Sequence, residues 1–184
     1  ILIIIGLGGA LIYGGFAYAR GQAPINLALL RGASGLRALF EGIAGLCMIA
    51  SLALVPLSLI TTILQVNPLL ITLGAALFFG DPVGWRRWSA IIVGLLGVLI
   101  VLRPFSETFD FAIIFIVIGV LAMSARDLAT RRVSRTVSTA QLSTIGFLAV
   151  VPGGILALWA TGDAMIWPDL RAASLLACTV GIGV

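Results

Sequence analysis

The sequence predicts an all-α integral membrane protein, a polytopic helix bundle, on three observations. The first is composition: 61% of the residues are hydrophobic and 10% charged, with a formal charge of +4. Soluble domains average roughly 45–50% apolar and about 25% charged residues. A soluble core this apolar would leave too few polar side chains to cover its surface. The second observation is spacing. Apolar runs recur at roughly residues 1–19, 38–80, 88–102, 109–125, 139–160 and 172 to the end, divided by short arginine-bearing breaks. A helix of about 20 such residues crosses a hydrocarbon core of about 30 Å. The third is the distribution of arginine, which also decides how the longest run is divided.

The first element, "ILIIIGLGGALIYGGFAYA", is one crossing, and Arg20 follows it. The next run holds 39 consecutive residues, Gly42 to Gly80, without Asp, Glu, Lys or Arg. As one helix it would extend about 58 Å, nearly twice the membrane core. Two crossings joined at "LVPLS" fit better, because Pro56 ends one helix and opens the next at little cost. With that turn, alternate connections place Arg20, Arg31, Arg37, Arg86, Arg87, Arg126, Arg131, Arg132 and Arg135 on one side and Arg103 and Arg171 on the other, a 9:2 split. A single crossing would give 5:6. The positive-inside rule selects the asymmetric division and puts the breaks at 20–37, 81–87 and 126–138 in the cytoplasm. The first segment then runs from outside to inside.

The remaining elements follow. Trp88 to Leu102 is short, and Trp85 and a snorkelling Arg103 complete it. Trp85 and Trp88 flank a cytoplasmic break, and Trp159 and Trp167 an external one, as interfacial belts do. The result is six spans and the start of a seventh, with "RPFSETF" (Arg103 to Phe109) as the boundary between two halves. "LRAL" at Leu36 opens one span from inside and "LRAA" at Leu170 another from outside, a faint echo of the kind inverted repeats leave. Both ends of the chain fall within apolar runs and no signal peptide is visible, so the sequence is expected to be the middle of a longer protein.

The function classes left are few. The chain has no histidine, and Cys47 and Cys178 both sit in apolar runs, which suggests neither a disulfide nor a metal pair. No nucleophile–base set or phosphate-binding loop is spaced to act, so neither an enzyme nor direct nucleotide-driven transport is expected, and no cofactor is called for. The arginines lie in separate breaks, unlike a nucleic-acid footprint. Small-molecule substrate and membrane lipids are the expected partners, with a homodimer open.

The segment "VPLSLITTILQVNPLLITLGAALFFGDPVGWRRWSAIIVGLLGVLIVLRP", Val55 to Pro104, resembles the EamA-like branch of the drug/metabolite transporter superfamily. Pro68, Gly80-Asp81, Gly94 and Gly97 stand where that pattern has a mid-helix proline, a Gly-acid pair and a glycine-rich span; the family commonly carries Glu where this chain has Asp81. The resemblance implies ten spans in two inverted five-helix repeats, of which this chain looks like spans 2 to 8. Residues 1–104 would be the end of the first repeat (spans 2–5) and 105–184 the start of the second (spans 6–8, truncated). It implies a secondary transporter of small organic metabolites, amino-acid-like or drug-like, working by alternating access in the inner (plasma) membrane. A structural or assembly membrane protein without transport, and a transporter of lipid-linked substrate, are the alternatives.

Polar residues inside the spans are the candidates. On one continuous helix Ser58, Thr61, Thr62, Gln65 and Thr72 share a sector of about 100°, with Asn67 nearly opposite. Such a stripe either lines a substrate path, with Pro68 as its conformational kink, or is absorbed by bonds to its own helix and to neighbours. Glu41 either binds a proton or cationic substrate or pairs with Arg37 at i,i+4, and the spacing favours the pair. Ala90, Gly94 and Gly97 form a small-residue face for helix packing. "ARDLATRRVSR", Ala125 to Arg135, sets topology or binds an anionic lipid or substrate at the cytoplasmic mouth.

Overall fold

Among the described residues of the computed structural model, six helices are long and apolar enough to cross a membrane, with the two pieces of Leu57–Phe79 taken as one. The structure describes residues 2–102 and 111–161, which leaves out the 103–109 boundary segment and the seventh run. In chain order the helices are α1 (Leu2–Ala19), α2 (Gly32–Leu54), α3 (Leu57–Leu64), α4 (Asn67–Phe79), α5 (Trp85–Leu102), α6 (Ile113–Thr130) and α7 (Thr139–Thr161), with a 3-10 turn at Leu27–Leu30. No strand occurs among the described residues. The molecule is a polytopic helical membrane protein.

Local chemistry sets the boundaries. α1 closes in a Schellman motif: Gly21 takes φ 72°, the Gln22 N–H donates to Ala17 O at 3.0 Å and the Gly21 N–H to Tyr18 O at 2.9 Å. α2 stops where Val55 turns extended (φ −122°, ψ 140°), the conformation forced on a residue before proline, and Pro56 opens α3. The long uncharged run is thus two crossings divided at Pro56. The second crossing is itself interrupted. Pro68, in the first turn of α4, cannot donate to Leu64 O, and the ladder tightens to i,i−3 bonds at Val66 (to Ile63 O, 3.0 Å) and Leu69 (to Val66 O, 2.9 Å). Gly80 ends α4 in the left-handed region at φ 67°.

Two limits differ from the sequence expectation. α2 begins at Gly32, which takes Arg37 into the helix, and α6 continues to Thr130, which takes in Arg126 and Asp127. The apolar run ends near 125, but Ala-Arg-Asp-Leu-Ala-Thr contains no Gly or Pro, so the helix propagates past it.

α2 packs against both α6 and α7; α1 lies on α7, α4 on α6, and α5 touches only α4 extensively. Lipid-solvated helices gain little hydrophobic drive from one another, so close contact through small residues matters. A Cβ added at Gly9 would lie 2.5 Å from the Phe147 ring, and one at Gly42 2.5 Å from the Ala149 carbonyl oxygen. Tyr13 stacks on Phe147 at 5.5 Å. Opposite the arginine-bearing end, Val55, Ile60, Ile63, Ile113, Ile116 and Val120 form the core of α2, α3 and α6. The outer face is apolar, with Leu77, Phe78, Val93 and Ile100 exposed, as lipid contact requires.

Every charged side chain among the described residues lies toward one end of the bundle. Cross-helix contacts tie that end together: Arg131 pairs with Asp81 at 3.1 Å, Arg132 donates to Phe78 O at 3.2 Å, and the Gln141 amide donates to Ala23 O at 2.8 Å. The guanidinium of Arg132 also stands 4.8 Å over the Phe79 ring.

Candidate functional site

Ser58, Thr61 and Gln65 are exposed on α3 and at its end, and Thr72 is half-buried on α4. Interruption at Gln65–Val66 divides the stripe between two helices, so it is not one continuous face. Thr61 and Thr62 donate to Ser58 O (2.9 and 2.8 Å), and Thr72 donates to Pro68 O (2.8 Å). The last of these crosses the turn that Pro68 begins. The Gln65 backbone N–H donates to Ile63 O, while its side chain is exposed and has no hydrogen-bond partner among the described residues. Asn67 turns inward and its Oδ1 accepts from the Ser124 hydroxyl of α6 at 2.7 Å.

Of the small-residue face on α5, Gly94 meets Leu69 of α4, where a Cβ would overlap the leucine, while Gly97 has nothing within 4 Å and Ala90 is exposed. Trp85 and Trp159, 76% and 85% exposed, lie at opposite ends of their helices' span of the bundle, where interfacial anchors belong.

The structure instead concentrates charge around Glu41. This residue lies nine positions into α2, about 14 Å along its axis. Arg37 stands 3.6 Å from its Oε2, the i,i+4 pair that the spacing suggested. The shorter contact is across helices: Arg126 Nη1 of α6 donates to Glu41 Oε1 at 3.0 Å and its Nη2 reaches Asp127 Oδ1 at 2.8 Å. Arg37 donates onward to Thr130 Oγ1 (3.2 Å, α6) and to Leu142 O (3.3 Å, α7). Two guanidinium groups, two carboxylates and a carbonyl therefore join α2, α6 and α7. Each charge is partnered, as ionic groups at this depth must be.

Glycine makes the room. A Cβ on Gly146 of α7 would lie 2.9 Å from Arg37 Nη1 and 3.7 Å from Glu41 Cγ. Beside the network opens a cavity of about 240 Å³, lined by Arg37, Glu41, Arg126, Ser143, Gly146 and Phe147 among others, with Ile5 of α1 on its wall. It has one polar, charged wall and one apolar, aromatic wall. Such a cavity can accept a small solute carrying both an ionised group and an apolar body. Among the described residues there is no group of His, Cys, Asp and Glu that could hold a metal ion, and Cys47 is a buried free thiol.

The sequence pairs Glu41 with Arg37 and offers Arg126 and Asp127 within the Ala125–Arg135 cluster, though not as partners of Glu41, and it does not single out Ser143 or Gly146. Arg126 was assigned to a connecting break. The signal that could have placed it was the absence of any helix-ending residue before Thr130.

The chain is similar to known transporters. It is 36% identical to a riboflavin transporter of Rhizobium johnstonii over 83 residues, 45% of this chain and 28% of that protein. It is 25% identical to an S-adenosylmethionine uptake transporter of Rickettsia bellii over 125 residues, 68% of this chain and 42% of that protein. A riboflavin transporter of Vibrio cholerae is 27% identical over 94 residues, 51% of this chain and 32% of that protein. The matches thus span well under half the length of these relatives. No family model matches the chain, and no solved structure matches it significantly.

Proposed function

We propose that this chain is part of a secondary transporter of small organic metabolites, in the EamA-like branch of the drug/metabolite transporter superfamily, working by alternating access in the inner membrane. The observation that carries the proposal is the cavity between α1, α2, α6 and α7 with the Glu41–Arg126–Arg37 network in its wall. A lipid-exposed packing interface has no use for two guanidinium groups and two carboxylates inside the spans, whereas a solute path does. Similarity to riboflavin transporters and to an S-adenosylmethionine uptake transporter supports the same reading. Residues 1–104 and 105–184 belong on it to two inverted repeats that rock about the site. Glu41, with Arg37 and Arg126, holds an ionised part of the substrate. The Ser58, Thr61, Gln65 and Thr72 stripe faces the path where a further helix would close it, and Pro68 is the hinge of that crossing.

The test is uptake and counterflow with the full-length protein, in cells and then in proteoliposomes. Riboflavin, S-adenosylmethionine and a panel of amino acids would be compared in wild type, Ser143→Ala, Glu41→Gln and Gln65→Ala. Uptake of one compound class, reduced at least tenfold in Glu41→Gln at unchanged protein level and altered in Ser143→Ala, is the expected result. Uptake indifferent to Glu41 and Ser143 would move the path elsewhere. Loss in Gln65→Ala would put the stripe on it. No flux of any compound, in protein shown to be folded, would overturn the transporter reading.

A further inference from the structure

A second cavity, separate from the Glu41 site, lies at the arginine-bearing end of the bundle. It measures about 450 Å³ and is lined by Arg31, Arg132, Ser34, Ser134, Thr136 and Gln141, among others, with no acidic residue in its wall. The floor is folded core: Leu29, Leu142 and Ile145 are buried there against Val133 and Val137. Arg31 has no acidic partner among the described residues. Arg132 spends one N–H on Phe78 O, and its guanidinium retains further donors. Ser134 and Thr136 bond one another at 2.8 Å, so their hydroxyls form a small polar shelf.

Arg132 is also the wall of a different opening. A groove of about 260 Å³ runs between α2, α4 and α6, lined by Leu36, Phe40, Phe78, Phe79 and Leu128, and Arg132 lines it too. Leu36 and Phe40 are one turn apart on the same face of α2, the helix whose N-cap residue Arg31 and first-turn Ser34 line the polar cavity. Arg132 thus stands between a cationic, hydroxyl-rich chamber and an apolar trough along the spans.

We propose that this composite site binds one anionic phospholipid. The phosphate and its headgroup lie between Arg31 and Arg132 with one hydroxyl of the Ser134–Thr136 pair donating, and an acyl chain lies along Leu36, Phe40 and Phe79. Neither half fits another occupant as well: a free phosphate has no use for the trough, and an apolar solute has none for two arginines without a carboxylate. The positive-inside rule puts this end at the cytoplasmic leaflet, where anionic lipids act on basic residues near the surface. The α6–α7 connection, residues 131–138, is the element that such a lipid fastens to α2.

The experiment is native mass spectrometry and thermal unfolding of the full-length protein in neutral detergent, with phosphatidylglycerol, phosphatidylcholine or inorganic phosphate added. Expected are a resolved phosphatidylglycerol adduct and a raised unfolding midpoint, neither produced by phosphatidylcholine or inorganic phosphate. Binding should weaken roughly fivefold for each of Arg31→Gln and Arg132→Gln, and also in Leu36→Ala, but not in Arg86→Gln with Arg87→Gln. Arg31→Gln serves alone if loss of the Arg132–Phe78 contact prevents folding. Equal binding of both lipids, or equal loss in the Arg86/Arg87 variant, would overturn the site as general surface charge. Inorganic phosphate competing fully, with Leu36→Ala silent, would overturn the lipid in favour of a soluble phosphate.

Discussion

In one region polar groups inside the spans bond across helices as well as to their own backbone, and in another the threonine hydroxyls bond only their own backbone. Around α2, α6 and α7 they reach across helices: Glu41 to Arg126, Arg37 to Thr130 and Leu142, and Ser124 to Asn67 where α4 joins the group. In α3 and the following turn of α4 the hydroxyls fold back on their own backbone, at Thr61, Thr62 and Thr72. The first region contains the glycine contacts against backbone at Gly42 and against the Arg37 guanidinium at Gly146, and the charged cavity; α5, which lies on α4, meets it through Gly94 and buries only Ile91. A hydroxyl can satisfy itself on its own helix, whereas a guanidinium has donors left after its own-helix carboxylate, as Arg37 has beyond Glu41 and Arg126 beyond Asp127. Ionic groups are therefore what commit helices to specific neighbours.

That contrast can be broken or sharpened by substitution, the largest effect first. Glu41→Gln leaves Arg126 short of a carboxylate at a site where the Glu41 side chain is 23% exposed. A loss of about 2–3 kcal/mol in unfolding free energy is expected, below the full range for a wholly buried pair. A double-mutant cycle with Arg126→Gln should recover at least about 1 kcal/mol as coupling; additive losses would mean the cross-helix pair holds nothing together.

Gly42→Ala comes next. Its Cβ would press 2.5 Å from the Ala149 carbonyl oxygen, a backbone atom with little room to yield. A cost of about 1–3 kcal/mol is expected from overpacking. Gly97→Ala, with nothing within 4 Å, is the matched control and should be neutral or slightly stabilising. Equal responses in thermal unfolding would remove the distinction between the two regions.

Asn67→Ala removes the acceptor of the Ser124 hydroxyl. Interhelical hydrogen bonds within membranes average about 0.6 kcal/mol and reach about 1.7, so a loss near 1 kcal/mol is expected by the same measurement. Ser124 retains its bond to Val120 O at 2.9 Å, which limits the cost. Thr61→Val should change stability by less than about 0.5 kcal/mol, since its hydroxyl is exposed and bonded only to its own helix. A larger loss would reveal a neighbour on that face and bring the stripe into the first region.

The sequence and the tertiary structure divide the result along a physical line. Hydrophobic run length against membrane thickness settles how many times the described chain crosses, because every span must hide its own backbone polar groups. Pro56 divides the long run by its own covalent chemistry, and the nine described arginines lie toward one end of the bundle. The Arg37–Glu41 pair was legible because helical geometry alone brings i and i+4 together. None of that reaches between helices. Arg126 lies 85 residues from Glu41, and no local spacing brings them together; close approach through Gly42, Gly119 and Gly146 does. The same holds for the stripe on α3 and α4. Its pattern was visible as a sequence, but which way it faces follows from how the crossing is interrupted before Pro68 and which neighbours it meets. Propensity, length and charge act along the chain, and fix the spans. Packing acts between them, and decides which polar groups share a cavity.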